Sequence, residues 1–177
     1  GVSDIIIPSN YSTTNTIYIA TGDRDGWDNN SVGVLKSTDA GVNWSSTDIS
    51  YSIEDGEMAT QLLLDPNDDN TIIAATSNGV FKTTNGGTSW STQLTSISFI
   101  DMEYKPGDFN TLYGSTSAGD IYVSTDGGSN WTQTYDNSSA RRIELAVTPA
   151  NSSVLYALAA SSNNGFYAFY KSTDSGS

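Results

Sequence analysis

The 177-residue sequence contains no cysteine and no histidine. Without cysteine, the chain can form neither a disulfide framework nor a thiolate nucleophile. Without histidine, it lacks the commonest general base, any Ser-His-Asp triad, and the usual ligand of zinc and copper. The sequence therefore excludes the enzyme classes that depend on these two residues.

Basic side chains are also scarce, since 7 Lys and Arg stand against 20 Asp and Glu and give a net charge of -13. A field of this sign repels phosphate backbones and anionic head groups, so we expect no nucleic-acid partner. No apolar run approaches the ~20 residues of a transmembrane helix, and we expect no membrane insertion. The abundance of Ser, Thr, Asn, Asp and Gly is typical of a chain rich in turns and strands.

One octet occurs three times in full, from Ser37, Thr83 and Ser124, and once in part from Ser172. Its Asp or Asn recurs at intervals of 41 to 48 residues, a spacing that suits four short strands with their turns. Asp or Asn bonds the local backbone and Gly supplies positive φ, so the octet is a tight turn. The residues that recur in it are Asp39, Gly41, Trp44, Asn85, Gly87, Trp90, Asp126, Gly128, Trp131, Asp174 and Gly176.

A second marker repeats in phase with the octet. Each of the four prolines, Pro8, Pro66, Pro106 and Pro149, follows a short, mostly apolar run and precedes a polar turn and another strand. Each repeat is therefore predicted to be a four-stranded antiparallel meander in which the octet joins the third and fourth strands. No stretch has a sustained 3.6-residue apolar period, and we predict no helix.

One such meander cannot bury both of its faces, whereas meanders stacked around an axis cover one another. The repeats thus predict an all-β fold, a β-propeller with about 3.5 blades of four antiparallel strands in residues 1–177. The predicted units are approximately 1–58, 59–98, 99–140 and 141–177. Three and a half blades do not complete an ordinary ring, so the remaining blades of a parent chain are expected partners.

The octets resemble the Asp-box, or BNR repeat, of sialidases, xyloglucan-cleaving endoglucanases, sortilin-type receptor domains and secreted bacterial repeat proteins. The segments NTIYIATGD and GVLKSTDAGVNW look most similar to the sortilin and xyloglucanase-like group. This resemblance implies a bacterial protein that is secreted or on the cell surface. It also implies that the octet tryptophans and aspartates are structural.

The resemblance does not supply a catalytic site. Sialidases need an arginine cluster, and this chain has only Arg24, Arg141 and Arg142. Xyloglucanase-like enzymes use two aspartates across a cleft between two propellers, and neither aspartate can be assigned to a matching motif here. We therefore expect the isolated chain not to be an enzyme.

The longest insertion, residues 22–30, lies between the second and third strands of the first repeat. Asp23, Asp25 and Asp28 suit Ca²⁺, although their order is not that of an EF-hand, and no other cofactor is expected. Trp27 suits stacking on a sugar ring. An ordered loop with Trp27 packed on its neighbours is the alternative interpretation.

Two links between repeats carry further candidates. The first is a long acidic link on the same predicted side as Trp27, and its candidate ligand contacts are Tyr51, Glu54, Asp55 and Glu57. Glu54, Asp55 and Glu57 could also act as paired carboxylates, or the link is a solvated acidic loop. Arg141 and Arg142 either pair with neighbouring acids or hold an anionic group of a ligand.

The sequence favours a binding or scaffold module outside the cell, with a polysaccharide or a protein as ligand. The alternative hypothesis is a fragment of a glycoside hydrolase of endoglucanase type, whose catalytic pair needs the missing blades. A receptor-like module that binds peptides is a third hypothesis.

Overall fold

The strands of the described residues form four separate antiparallel sheets. The computed structural model describes residues 1–24 and 30–176. In each of the first three sheets, four strands lie side by side in sequence order, and the fourth sheet has three described strands in the same order. This is the meander that the in-phase repeats predict, because short turns join each strand to its neighbour.

The strand bounds repeat along the chain. The first sheet contains β1 (Val2–Ile6), β2 (Ile17–Thr21), β3 (Val34–Ser37) and β4 (Ser45–Ser46). The second contains β5 (Ala59–Asp65), β6 (Asp68–Thr76), β7 (Gly79–Thr83) and β8 (Ser91–Thr95). The third contains β9 (Phe99–Lys105), β10 (Asp108–Thr116), β11 (Ile121–Ser124) and β12 (Thr132–Tyr135). The fourth contains β13 (Ala140–Val147), β14 (Leu155–Ser161) and β15 (Phe166–Ser172).

Two short helical turns correct the prediction that the chain has no helix. Helix α1 (Tyr11–Thr14) is a single turn, and the backbone N–H of Ser9 before it donates to the Asp69 carboxylate at 2.7 Å. A 3₁₀ turn at Ile53–Asp55 is closed by the Ser52 N–H, which donates to Oδ2 of Asp55 at 2.7 Å. Turns this short are held by side-chain acceptors and need no apolar period, so the sequence pattern does not show them.

No helix in the described part of the chain is long and apolar enough to cross a membrane.

Residues 1–96 form one compact unit, which contains the first two sheets. Apolar side chains of both sheets meet in one core, since alternate strand residues point to the same face. The buried members are Tyr18, Ala20, Val34, Ile49, Ala59, Leu62, Ile72 and Ala74.

Residues 97–177 form a second compact unit, which contains the third and fourth sheets. It has a core of the same kind between its two sheets. The buried members are Tyr113, Ile121, Ala140, Ile143, Leu145, Leu155, Ala157 and Ala159.

Two glycines allow the fourth strand to approach the third strand closely. Gly33 and Gly79 have φ of 91° and 136°. A Cβ at Gly33 would lie 2.0 Å from the Ile49 carbonyl oxygen, and one at Gly79 would lie 1.9 Å from the Leu94 carbonyl oxygen. Only glycine fits such positions, so these two residues let the chain that follows the octet pass close to the third strand.

Candidate functional site

Each octet forms the same closed turn. Its first hydroxyl accepts a hydrogen bond from the N–H of the fifth residue, as Ser37 does from Gly41 at 2.9 Å and Ser124 does from Gly128 at 2.9 Å. The partial octet has the same bond, from the Gly176 N–H to Ser172 at 2.8 Å. The octets join the third and fourth strands in the three sheets that have both. The turn is therefore a self-contained unit that is built from local hydrogen bonds.

The octet carboxylates are occupied by their own turns. Oδ1 of Asp126 accepts the Asn130 N–H at 2.8 Å, and Oδ2 accepts the Asn130 side-chain amide at 2.7 Å. These bonds, the side-chain amide foremost, lower the pKa of Asp126 to about 2. The backbone N–H of Asn43 likewise lowers the pKa of Asp39 below its usual value. Hydrogen bonds to the charged form hold both groups ionised at neutral pH.

The octet tryptophans are tied to their turns rather than presented to a ligand. Nε1 of Trp44 donates to the Gly41 carbonyl and Nε1 of Trp131 donates to the Gly128 carbonyl, both at 3.1 Å. Trp90 packs against the core of the first unit. The indole N–H groups of Trp44 and Trp131 are therefore committed to their own turns, although the Trp44 ring is 37% exposed.

The octets lie beside the turns that follow the first strands. The Ala40 N–H donates to the Asn15 carbonyl at 3.0 Å, and the Gly86 N–H donates to the Asn70 carbonyl at 3.0 Å. The Gly127 N–H repeats this bond to Asn110 at 2.9 Å. Both kinds of turn thus lie at the same end of the strands in each sheet, and the remaining loops and links lie at the opposite end.

At this opposite end of the strands in the first unit, residues that flank the long insertion lie beside the acidic link. The Tyr51 N–H donates to the Val32 carbonyl at 3.4 Å, and a Cβ on Gly22 would lie 2.7 Å from Cβ of Met58. Gly22 at the start of the insertion and Val32, two residues beyond its end, therefore lie against the 51–58 link. The structure brings together the two segments that the sequence analysis singled out on this side.

The residues of the link have different environments. Glu54 is exposed in the 3₁₀ turn, whereas the Asp55 carboxylate accepts the Ser52 N–H and closes that turn. The Glu57 carboxylate accepts a hydrogen bond from the Ser77 hydroxyl. Burial, with the neighbouring Glu57 charge, raises the pKa of the Tyr51 phenol. The link thus supplies one open carboxylate, one carboxylate anchored to the second sheet, and a neutral phenol at its base.

Only part of the predicted calcium site falls within the described residues. Asp23 lies at the start of the insertion, while Asp25, Trp27 and Asp28 are outside the described residues. Among residues 1–24 and 30–176, no group of three or more acidic side chains is placed to hold a metal ion.

The two adjacent arginines of the fourth sheet have separate environments. Arg141 is exposed. Nε of Arg142 donates to Oε1 of Glu144 at 2.7 Å, and both side chains remain more than a third exposed. An exposed pair of this kind contributes only about 0–1 kcal/mol to stability. Arg142 therefore pairs with a neighbouring acidic side chain, which is one of the two interpretations of the arginines; the other is that they hold an anionic group of a ligand.

Two carboxylates on first strands reach the backbone of the next sheet, and no motif in the sequence marks them. Oδ2 of Asp4 on β1 accepts the Leu62 N–H of β5 at 2.8 Å. Oδ2 of Asp101 on β9 accepts the Leu145 N–H of β13 at 2.6 Å, and Asp101 is only 5% exposed. The two hydrogen bonds are equivalent because Leu62 and Leu145 occupy the same position in their sheets. Leu62 pairs with Ala74 on the second strand of its sheet, and Leu145 pairs with Ala157 on the second strand of its own. Each carboxylate satisfies a backbone donor on the free edge of the next sheet.

Glu103 lies two residues beyond Asp101 on the same face of β9. Burial, with the Asp101 charge as a second cause, raises the pKa of Glu103 to about 7. A carboxyl that keeps its proton close to neutrality is unusual on an acidic chain. The only sequence signal for this pair was the alternation of acidic residues in a mainly apolar strand.

Known structures resemble this chain over nearly its whole length. An ancestral GH74 enzyme superposes with a TM-score of 0.73 at 25% identity, over 98% of this chain and 23% of that chain. The GH74 xyloglucanase from Xanthomonas campestris has a TM-score of 0.65 at 14% identity, over 97% of this chain and 29% of that one. YCF48 bound to D1 peptide has a TM-score of 0.58 at 18% identity, over 88% and 47%.

The chain is a partial β-propeller. Each of its four-stranded sheets corresponds to one blade, as the repeats predict. The chain spans less than a third of the GH74 enzymes that it resembles and about half of YCF48. A scan against protein-family models and a search of the curated proteins gave no match.

Proposed function

We propose that the chain is a binding module of the cell exterior that holds a neutral polysaccharide. The observation that carries the proposal is that Gly22 and Val32, which stand at either end of the long insertion, lie against the acidic link in the first unit. We call the described part of this region the link surface and define it by Val32, Tyr51, Ile53, Glu54 and Glu57. Long loops that meet on a rigid sheet scaffold are common ligand sites.

The link surface has the mixed chemistry that sugars require. Val32 and Ile53 are 40% and 60% exposed, and such apolar groups contact the C–H face of a sugar ring. Glu54 and Glu57 are carboxylate acceptors for sugar hydroxyls, and hydrogen bonds to charged groups are the stronger kind. The net charge of -13 disfavours anionic polymers and so favours a neutral chain.

The structural neighbours support the carbohydrate class without deciding it. They include an ancestral GH74 enzyme and a GH74 xyloglucanase. The same fold occurs in YCF48, which was solved with a peptide. Because one fold hosts several functions, the link surface is the main support for a carbohydrate ligand.

Affinity electrophoresis through gels that contain xyloglucan, mannan or no polysaccharide tests the proposal. We expect a neutral polysaccharide to retard the chain. Joint substitution of Glu54→Gln and Glu57→Gln should weaken this binding at least several-fold, because two charged acceptors are lost. Asp136→Asn is the matched control, since it removes an exposed carboxylate from the other unit.

Two results would contradict the proposal. The first is migration that no neutral polysaccharide changes. The second is retardation that the double variant leaves intact, which would place binding elsewhere. A parallel assay for new reducing ends distinguishes a module that only binds from a hydrolase fragment, and sustained release of reducing sugar would favour the hydrolase.

A further inference from the structure

The outward face of the fourth sheet carries exposed apolar side chains beside the ion pair of Arg142 and Glu144. Its other face packs in the core of the second unit. On the outward face, Leu158, Phe166 and Phe169 are 50%, 74% and 59% exposed. Three large apolar side chains on one sheet face are more than the single exposed residues that are normal on a soluble protein.

The first unit shows how an equivalent face is covered. The Tyr18 hydroxyl on β2 donates to the Gly86 carbonyl of the second octet at 2.9 Å, and Nζ of Lys36 on β3 donates to the same oxygen at 2.7 Å. The ammonium lies 5.2 Å from the centre of the Tyr18 ring. Tyr18 is 2% exposed as a result. The first sheet therefore contacts the second through two hydrogen bonds, one from a tyrosine and one from a lysine, to a single carbonyl of the second octet.

The fourth sheet repeats this pair of donors. Tyr156 pairs with Lys171 across β14 and β15, as Tyr18 pairs with Lys36 across β2 and β3. Nζ of Lys171 lies 5.8 Å from the centre of the Tyr156 ring. The ring is also stacked on Phe169, with centroids 5.6 Å apart. The Tyr156 hydroxyl and the Lys171 ammonium therefore lie together on the outward face of the fourth sheet.

The third sheet gives a second example of the covered arrangement. Tyr113 occupies the equivalent position on β10 and is 1% exposed. Its ring lies against the octet of the fourth sheet, because a Cβ on Gly176 would be 3.3 Å from the Tyr113 ring. In both of these pairs of sheets, a tyrosine at this position is therefore buried against the octet of the following sheet.

The first sheet carries the matching surface. Ile5 and Ile7 are 55% and 53% exposed, and Ile5 holds the ladder position at which Leu62 of the second sheet is buried. In the first octet, Ala40 takes the place of Gly86, and its φ of 62° matches the 64° of Gly86. The Ala40 carbonyl is therefore presented as the Gly86 carbonyl is.

We propose that the outward face of the fourth sheet binds the first sheet of a second copy of this chain. Tyr156 and Lys171 donate to the Ala40 carbonyl of that copy, while Phe169 and Leu158 cover its Ile5 and Ile7. The contact repeats an interface that the chain already makes between its first and second sheets. It joins two different surfaces, so the association is heterologous rather than isologous.

Sedimentation velocity over a range of concentrations tests the association. The unaltered chain should form species larger than a monomer as its concentration rises. Phe169→Asp should abolish this association by placing a charge on the fourth-sheet face, and Ile5→Asp should abolish it from the first-sheet face. Both positions are exposed, so circular dichroism should show both variants folded. Tyr167→Phe on the same strand is the control and should associate normally.

Mixing the two blocked variants makes the test specific. The Phe169→Asp chain keeps an intact first-sheet face, and the Ile5→Asp chain keeps an intact fourth-sheet face. The mixture should therefore form a one-to-one complex that neither variant forms alone. A chain that stays monomeric at all concentrations would overturn the proposal, as would association that survives either substitution or a mixture that fails to form the complex.

Discussion

The carboxylates of the octets and those of the first strands are the same chemical groups in two opposite environments. Asp126 is exposed, bonded within its own turn, and has a pKa lowered to about 2. Asp101 is buried and reaches across to the backbone of another sheet, and its neighbour Glu103 has a pKa raised to about 7. The octet carboxylates thus form turns within a sheet, while the first-strand carboxylates connect sheets.

The largest effect is expected where a sheet-to-sheet bond is removed. Asp101→Ala leaves the buried Leu145 N–H without its acceptor and should lower the free energy of unfolding by about 3 kcal/mol. Urea denaturation followed by tryptophan fluorescence measures this change. Asp101→Asn keeps an acceptor oxygen and should lose less. A loss of the same size for both variants would show that the charge, rather than the hydrogen bond, is what matters.

An octet should be less sensitive, because its bonds are local. Ser124 is 1% exposed, donates to Asp126 at 2.9 Å and accepts the Gly128 N–H at 2.9 Å. Ser124→Ala should therefore destabilise the chain by about 1–2 kcal/mol in the same urea experiment. The exposed neighbour provides the control, since Thr125→Ala should change stability by less than about 0.5 kcal/mol. Equal effects at both positions would argue against the turn geometry described above.

The smallest effect concerns pH and sharpens the contrast between the two kinds of carboxylate. The pKa of Glu103 is about 7 when folded against an ordinary value of 4.5, so the unfolded chain binds fewer protons between these limits. Its contribution is complete below pH 4.5 and is lost as the pH rises through 7. The loss should be about 1 kcal/mol, after allowance for the exposed part of the side chain.

Glu103→Gln should remove this pH-dependent decline, which urea titrations at pH 5 and pH 8 would measure. The octet aspartates should behave in the opposite sense, because the pKa of Asp126 is lowered and its contribution is lost only as the pH falls from 3.8 towards 2. If Glu103→Gln leaves the difference between pH 5 and pH 8 unchanged, the raised pKa is not the cause of it.

The repeats predicted most of the fold because they report local structure. The octets and prolines identified four meanders and the turns that join their strands, and three complete four-stranded sheets are observed. The helical turns at Tyr11–Thr14 and Ile53–Asp55 were not predicted, since each is a single short turn that no periodic pattern marks. The adjacency of the insertion and the acidic link was also inferred from loop positions and is seen in their described parts.

The candidate site was less predictable from the sequence. Tyr51, Glu54, Asp55 and Glu57 were chosen as one acidic link, yet Asp55 closes a turn while Glu57 bonds Ser77 on the second sheet. A run of acidic residues in the sequence does not show which carboxylate hydrogen-bonds the backbone and which one is exposed to solvent. Asp25, Trp27 and Asp28 lie outside the described residues, so the calcium and sugar-stacking hypotheses for them stay predictions.

The sequence by itself determined the repeated sheet, because each octet and each strand pair is built from residues close together in the chain. The tertiary structure alone decided which sheet faces are buried and which are open, and where Asp4, Asp101 and Tyr18 find their partners. These contacts join residues that are about 40 to 70 positions apart in the sequence. Such relations depend on how sheets pack together, and no local pattern encodes that packing.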